Sequence, residues 1–419
     1  MSCVISCGKK NPPSVLQQDI YIWQRVWTPA LLESLQTITS SVQHLHVLAA
    51  EFDVDEKAVS IRVDFSALQN STLPIYAVVR IDGRSNEILN AHTHANISAL
   101  AEIWQKKLPA LAGIEIDYDC PTAQLPHYVQ FLKQLRAAIP SPLKLVNTAL
   151  PTWIESPVLS ELLMQTDSSI LQVHAVLNPQ QGLFDEVQAL AWVKSYKKIA
   201  TKSFQVALPA YGSKVVFSAD GKIISIQSEQ LTMTNSNHAL ELNADPNTIA
   251  KFIQSLSANQ ITNIIWFRLP TSEDQRAWSI TTLLAVMNQQ PLFSKLELKF
   301  VPESNSENDK YHKDEKSSGL INIEVVNQGN IAADSPLKVT LKPANFCSAA
   351  DGINGYQLEL EQGTWTFKRE QYVTLLPQQN RTIGWLRCSS LLQSSFSQLS
   401  LSKPAFSQLI MDKLDVTFE

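Results

Sequence analysis

Eight short apolar runs, separated by stretches of helical periodicity, occupy residues 19 to about 290 and restrict the fold more than any other feature of the chain. The runs cover residues 19–26 (DIYIWQRV), 44–51 (HLHVLAAE), 75–81 (IYAVVRI), 113–119 (GIEIDYD), 144–150 (KLVNTAL), 170–177 (ILQVHAVL), 204–211 (FQVALPAY) and 263–269 (NIIWFRL). Between them, residues 125–139 place Tyr128, Phe131, Leu132 and Leu135 three and four positions apart, which puts them on one face of a helix. Residues 184–199 and 247–256 read the same way. Eight strand–helix units in this length predict a (β/α)8 TIM barrel over residues 18–292. A doubly wound open sheet is the alternative, but no Gly-x-Gly-x-x-Gly turn supports it.

After Leu292 the period changes. Short strand-like runs follow at 296–301, 320–326, 337–341, 356–360, 371–375 and 381–385, with turn residues and no long helical pattern between them. Residues 293–419 are therefore expected to form a small all-β sandwich, interrupted by a polar, charged loop at 303–319. Val325-Val326-Asn327-Gln328-Gly329-Asn330 fits a strand ending in a turn and resembles hairpins of immunoglobulin-like accessory domains. No two of the five cysteines have the C-x-x-C spacing of a zinc or redox site. Cys347 and Cys388 either join in a disulfide, if the compartment is oxidising, or stand as two buried thiols.

The chain carries 34 Lys+Arg against 39 Asp+Glu, a net charge of −5, without a basic stripe interleaved with aromatics, so nucleic acid is a poor partner. The start, Val4-Ile5-Ser6-Cys7, resembles a bacterial lipoprotein box, with Cys7 as the lipidated residue and the polar residues 8–14 as a tether. Residues 1–17 are then a signal remnant and tether. Only six residues precede Cys7, so the start would lie inside the signal segment. This reading expects a lipid-anchored protein on the periplasmic side of the bacterial envelope.

The chemistry concentrates in the fourth run. Alternate residues of a strand face the same way, so Glu115, Asp117 and Asp119 share one face, and Ile114, Ile116 and Tyr118 the other. A parallel barrel strand is buried on both sides and normally reads as nearly continuous apolar residues. Three inward carboxylates would carry a large desolvation cost, which points to a site at the strand's C-terminal end. Residues two apart are about 6–7 Å apart, so such carboxylates do not all ionise freely and one keeps its proton near neutral pH. Asp119, nearest the strand end, is expected to be that acid. Asp117 is expected to be its charged neighbour, and Glu115 to orient Asp117 through a shared proton. The competing readings are a hard cation held by these oxygens, or neutralisation by Arg80 and Arg268.

Ala112-Gly-Ile-Glu-Ile-Asp-Tyr-Asp119 resembles the D-G-I-D-I-D-W-E strand of family-18 glycoside hydrolases, the chitinase-like barrels. Val206-Ala-Leu-Pro209-Ala-Tyr211-Gly212 is similar to their seventh strand, and Ile264-Ile-Trp266-Phe to the eighth, whose Trp floors the sugar site. A second resemblance covers nearly the whole chain. Tyr21–Trp27, Asp117–Asp119, Leu145–Trp153 and Gly384–Arg387 resemble the "Y-x-W-Q-R-x-W", "D-x-D", "L-x-x-T-A-L-x-x-W" and "G-W-L-R" segments of an uncharacterised family of bacterial lipoproteins. That family combines a glycosidase-like barrel with a small β domain. The chain departs from the family-18 pattern where Asp119 replaces Glu, where Ala112 replaces the first Asp, and where Gln172-Val-His174 replaces the sixth-strand "M-x-Y-D". These losses remove groups that hold an N-acetyl substituent.

Other candidates lie at or near strand ends. Trp23, Trp153 and Trp266 are flat rings that either stack on sugar faces or belong to the core. Arg25 could reach the mouth, Arg80 could supply a polar wall, and Tyr211 could hydrogen-bond a sugar hydroxyl. His174 is either a replacement donor or a hydrogen-bonded core residue. His92-Thr-His94 has no third ligand in sequence reach, so no metal is expected there, and no cofactor is expected. Two functions follow. One is hydrolysis of O-glycosyl bonds in a polysaccharide or glycoconjugate, with Asp119 and Asp117 as the acid pair. The other is a barrel that binds glycan or a partner protein without catalysis.

Overall fold

The protein was described as a computed structural model, covering residues 16–53, 58–84, 87–174, 182–218, 220–227, 239–302, 320–342, 347–388 and 415–418. The expected tether with Cys7 and the expected polar loop at 303–319 lie outside the described residues. The chain divides into two compact units, residues 1–290 and 291–419.

The first unit contains a closed barrel of eight parallel strands: β1 (Gln17–Ile22), β2 (Leu45–Phe52), β3 (Ile75–Ile81), β4 (Leu111–Tyr118), β5 (Lys144–Ala149), β6 (Ser168–Gln172), β7 (Phe204–Pro209) and β8 (Asn263–Phe267). Each strand pairs with its sequence neighbours, β8 pairs with β1, and β1 also pairs with β2, which closes the ring. Eight helices follow the strands in turn: α1 (Pro29–Ile38), α2 (Phe65–Gln69), α3 (Ala91–Lys107), α4 (Leu125–Ala138), α5 (Leu159–Met164), α6 (Glu186–Ile199), α7 (Pro246–Ala258) and α8 (Ile280–Met287). This is the TIM-barrel architecture.

Local chemistry explains the helix starts. Thr28, Asp64, Asn90, Asp185, Asp245 and Ser279 each accept a backbone N–H from the first turn of the helix that follows. Helix α4 buries Tyr128, Phe131, Leu132 and Leu135, the face given by its periodicity. Tyr21, Trp23, Leu48, Val78, Val146, Ile170, Ala207 and Ile265 form one buried cluster; they come from seven strands or strand ends and define the inward parity of the barrel. The alternate positions face the helix layer.

Two additions escape the eightfold pattern: the short strand Ala58–Ser60, antiparallel to the end of β2, and an inserted sheet. After β7, strands Gly212–Phe217, Ile223–Gln227 and Ala239–Asn243 form an antiparallel sheet with the first of them in the middle.

The second unit holds two four-stranded antiparallel sheets. Residues from both sheets, among them Phe300, Ile323, Val339, Leu341, Phe367 and Ile383, share one buried core, so the unit is a β-sandwich. The Asn327 turn is built by its side chain, which donates to the carbonyls of Ile331 and Leu375 and accepts the N–H of Gly329. Cys347 and Cys388 are joined in a disulfide across paired strands.

Candidate active site

The carboxylates of β4 point into the barrel. Glu115 has no exposed surface, and both its oxygens are engaged by inward-facing groups. Oε1 accepts the hydroxyls of Tyr21 (2.5 Å) and Thr148 (3.0 Å), and Oε2 meets His46 Nδ1 at 2.5 Å. Glu115 therefore belongs to an ionic cluster in the lower half of the barrel. It does not share a proton with Asp117, as its spacing had suggested, because its acceptor sites are filled from β1, β2 and β5. The cluster continues to Asp19, which lies 3.7 Å from His46 Nε2, 2.9 Å from His44 Nδ1, and accepts the amide of Gln205. Burial alone would depress the His46 imidazole, but Glu115 and Asp19 outweigh it and push it up to about 9. Burial alone would raise Asp19, but its histidine partners hold it well below the ordinary carboxylate range.

One level higher, the register sets Glu51, Arg80 and Asp117 side by side on β2, β3 and β4. This rung alternates in sign. Arg25 holds Glu51 through two bonds of 2.7 Å, and Arg80 stands 3.8 Å from the same carboxylate. Asp117 is 7% exposed. Burial, then the charge of Asp119, push its pKa well above the usual value, Glu115 adds to this, and Arg80 and the Thr148 hydroxyl oppose it. Asp119 sits past the strand end and is open to solvent at the lip. The protein walls around its carboxyl still raise its pKa, against Arg80. Both carboxyls are thus shifted upward, and the larger shift falls on the deeper Asp117, whereas the strand order alone places the proton on Asp119 with Asp117 as its charged neighbour.

Asp119, Arg80 and Glu51 line a groove of about 820 Å³ whose far side carries Ile223, Ile224 and Ile226 of the inserted sheet. Gly83, in the β3–α3 loop, underlies this arrangement. A Cβ there would lie 1.8 Å from the backbone oxygen of Asp119, so only glycine lets the two loops touch.

The remaining sequence candidates separate into three groups. Arg80 and Arg25 are in the mouth, Arg25 through Glu51. Trp23, Tyr211 and His174 join Phe267 in a run of edge-on and tilted rings at the top of β1, β6, β7 and β8. Tyr211 and His174 are 3.3 Å apart, and burial lowers the His174 imidazole to about 3, so it is neutral there. Trp266 and Trp153 are displaced from any sugar-facing role. Trp266 has outward parity, is fully buried against the helix layer beside Trp278, and donates its indole N–H to Gln18. Trp153 is fully buried and donates to the carbonyl of Cys120. A one-residue change of parity accounts for Trp266: Phe267, half-buried, is the ring that faces inward. Arg268 turns to Asp274 at 2.6 Å. His92 and His94 lie in the first turn of α3, with His94 edge-on to Phe131.

Sequence reasoning missed His46, Tyr21, Thr148, Glu51 and Phe267. Each lies on a strand at inward parity or at a strand end, and the signal was available in the polar residues of otherwise apolar runs: His44 and His46 in β2, Thr148 in β5, Glu51 closing β2.

With this geometry in view, the chain was compared with known proteins. Residues 71–272 match a family model described as a domain of unknown function (DUF3142), and residues 310–389 match another (DUF8456). No curated protein matches. Among solved structures, the spore cortex-lytic enzyme SleL of Bacillus megaterium QM B1551 is similar at a TM-score of 0.51 and 10% identity, over 66% of this chain and 74% of that one. SleL of Bacillus cereus is similar at 0.50 and 13%, over 62% and 73%. A chitinase from Chromobacterium violaceum ATCC 12472 is similar at 0.48 and 13%, over 66% and 98%. At these identities the likeness shows a shared barrel fold.

Proposed function

We propose that the barrel is a glycoside hydrolase acting on a polysaccharide or glycoconjugate of the bacterial envelope. The observation that carries this reading is the Asp117–Asp119 pair. It is two carboxyls on one strand end, one buried and one at the lip of an open groove, opposed by Arg80, and the pKa values of both are raised. Asp119 touches solvent and delivers the proton to the leaving oxygen as the glycosidic C–O bond breaks; a water molecule adds to the sugar carbon, and the proton it releases returns to the Asp117–Asp119 pair. Glu115 lies below, held by Tyr21, Thr148 and His46. The two spore cortex-lytic enzymes named above lend support as proteins of similar barrel fold. The disulfide suits an oxidising compartment. It accords with anchoring through Cys7 on the periplasmic side and with an immunoglobulin-like accessory role for the sandwich.

The test is a screen of chromogenic glycosides and cell-wall polymers with the wild type and Asp119→Asn. Turnover that falls about 10²–10⁴-fold in the variant supports hydrolysis. A second reading, glycan binding without turnover, has its own observation. Two of the three tryptophans expected at the groove are buried elsewhere, and His174 replaces the sixth-strand pair. Retained glycan affinity with no turnover in the wild type selects it.

A further inference from the structure

The cluster beneath the acid pair is built around a histidine that the proposed hydrolysis does not use. His46 is enclosed, and the groups facing it come from three neighbouring strands as well as its own. Asp19 and Tyr21 belong to β1, Tyr76 to β3 and Glu115 to β4, while His44 of β2 approaches through Asp19. The Tyr76 ring stacks on the imidazole with centroids 4.7 Å apart and planes 17° apart. Gly113 makes room for this stack, since a Cβ there would stand 2.9 Å from the Tyr76 ring.

Hydrogen-bond chemistry fixes the charges. A carboxylate accepts and does not donate, and an imidazole nitrogen facing a carboxylate must carry a hydrogen. His46 Nδ1 meets Glu115 at 2.5 Å, and Nε2 lies 3.7 Å from Asp19, an ion-pair distance without a hydrogen bond, so the ring stands between two carboxylates that favour its charged form. Glu115 already accepts two hydroxyls on its other oxygen. We infer that His46 is a positioning residue: as an imidazolium between Asp19 and Glu115, it holds the Glu115 carboxylate in place beneath the Asp117–Asp119 pair. The consequence for catalysis rests on the hydrolase reading; the charge assignment does not.

The experiment follows nitrogen-15-labelled histidine in the full chain by NMR from pH 5 to 10, with His46→Gln used for assignment and carbon-13 carboxyl signals read in parallel. His46 is expected to stay doubly protonated at pH 8 and to titrate near 9. In Glu115→Gln its transition is expected to fall, and the Asp117–Asp119 titration to move toward acid by about one pH unit. If His46→Gln does not fold, the single histidine whose signals move in Glu115→Gln identifies it. A neutral His46 at pH 7 in the wild type overturns the inference, as does an acid pair whose titration ignores Glu115→Gln. A chain inactive on every glycoside, with His46 charged at pH 8, defeats the hydrolase reading and supports this one.

Discussion

The two halves of the barrel interior treat buried charge in opposite ways. In the lower half, Asp19, His46 and Glu115 pair with each other and with hydroxyl and amide donors, so charge is compensated where it lies. In the upper half, Asp117 and Asp119 face one guanidinium, Arg80, which is itself shared with Glu51. The lower cluster is arranged for a single protonation state. The upper pair is less fully paired, and its Asp119 lines the groove. Desolvation without full pairing is what raises a carboxyl's pKa, and such sites mark function more often than structure.

Substitution can break this contrast. The largest effect is expected from Glu115→Gln, which leaves a buried imidazolium without its partner; loss of about 3–5 kcal/mol in urea unfolding would match the cost of breaking a buried pair. Alkaline titration should come next. A histidine raised from 6.5 to about 9 contributes stability that is complete below 6.5 and lost as pH rises through 9, so the melting temperature of the wild type should fall by about 5 °C between pH 7 and 9.5. Asp19 works at the other limit: its contribution is present above the ordinary 3.8 and disappears in strong acid. Gly83→Ala should cost about 1–3 kcal/mol and displace Asp119, read as a lower urea midpoint and as a shifted carbon-13 signal for that carboxyl.

Asp117→Asn should act in the opposite direction to Glu115→Gln. Its folded pKa is raised above 3.8, so the native carboxyl costs stability increasingly as pH rises past that value. The amide should therefore be neutral in acid and gain about 1 kcal/mol at pH 8, while abolishing turnover. Destabilisation at pH 8 would mean that the two halves do not differ. Arg25→Ala, which opens an exposed pair with Glu51, should change stability by only about 0.5 kcal/mol.

The barrel was legible because each strand is an apolar run between helices, and all eight observed strands overlap the runs at 19–26 through 263–269. The inward direction of Glu115 and Asp117 was equally legible, since strand parity is local. What pairs across the barrel was not. His46 lies 69 residues from Glu115, and nothing in either segment names the other. The fate of the tryptophans depended on parity at strand ends, where one residue decides between groove and helix layer, as Trp266 and Phe267 show. In the sandwich, strands Cys347–Gly352 and Thr364–Lys368 were missed because their alternation is weak and half-buried.

Arg80 has a consequence for what the groove tolerates. Its guanidinium draws down the proton affinity of both aspartates while also facing Glu51 across the rung. A ligand that brings its own anion to this spot, a uronate or a phosphate ester, would engage the same guanidinium and leave the aspartates with a tighter hold on their proton. On the proposed hydrolase reading, uncharged sugars would leave that balance as it is.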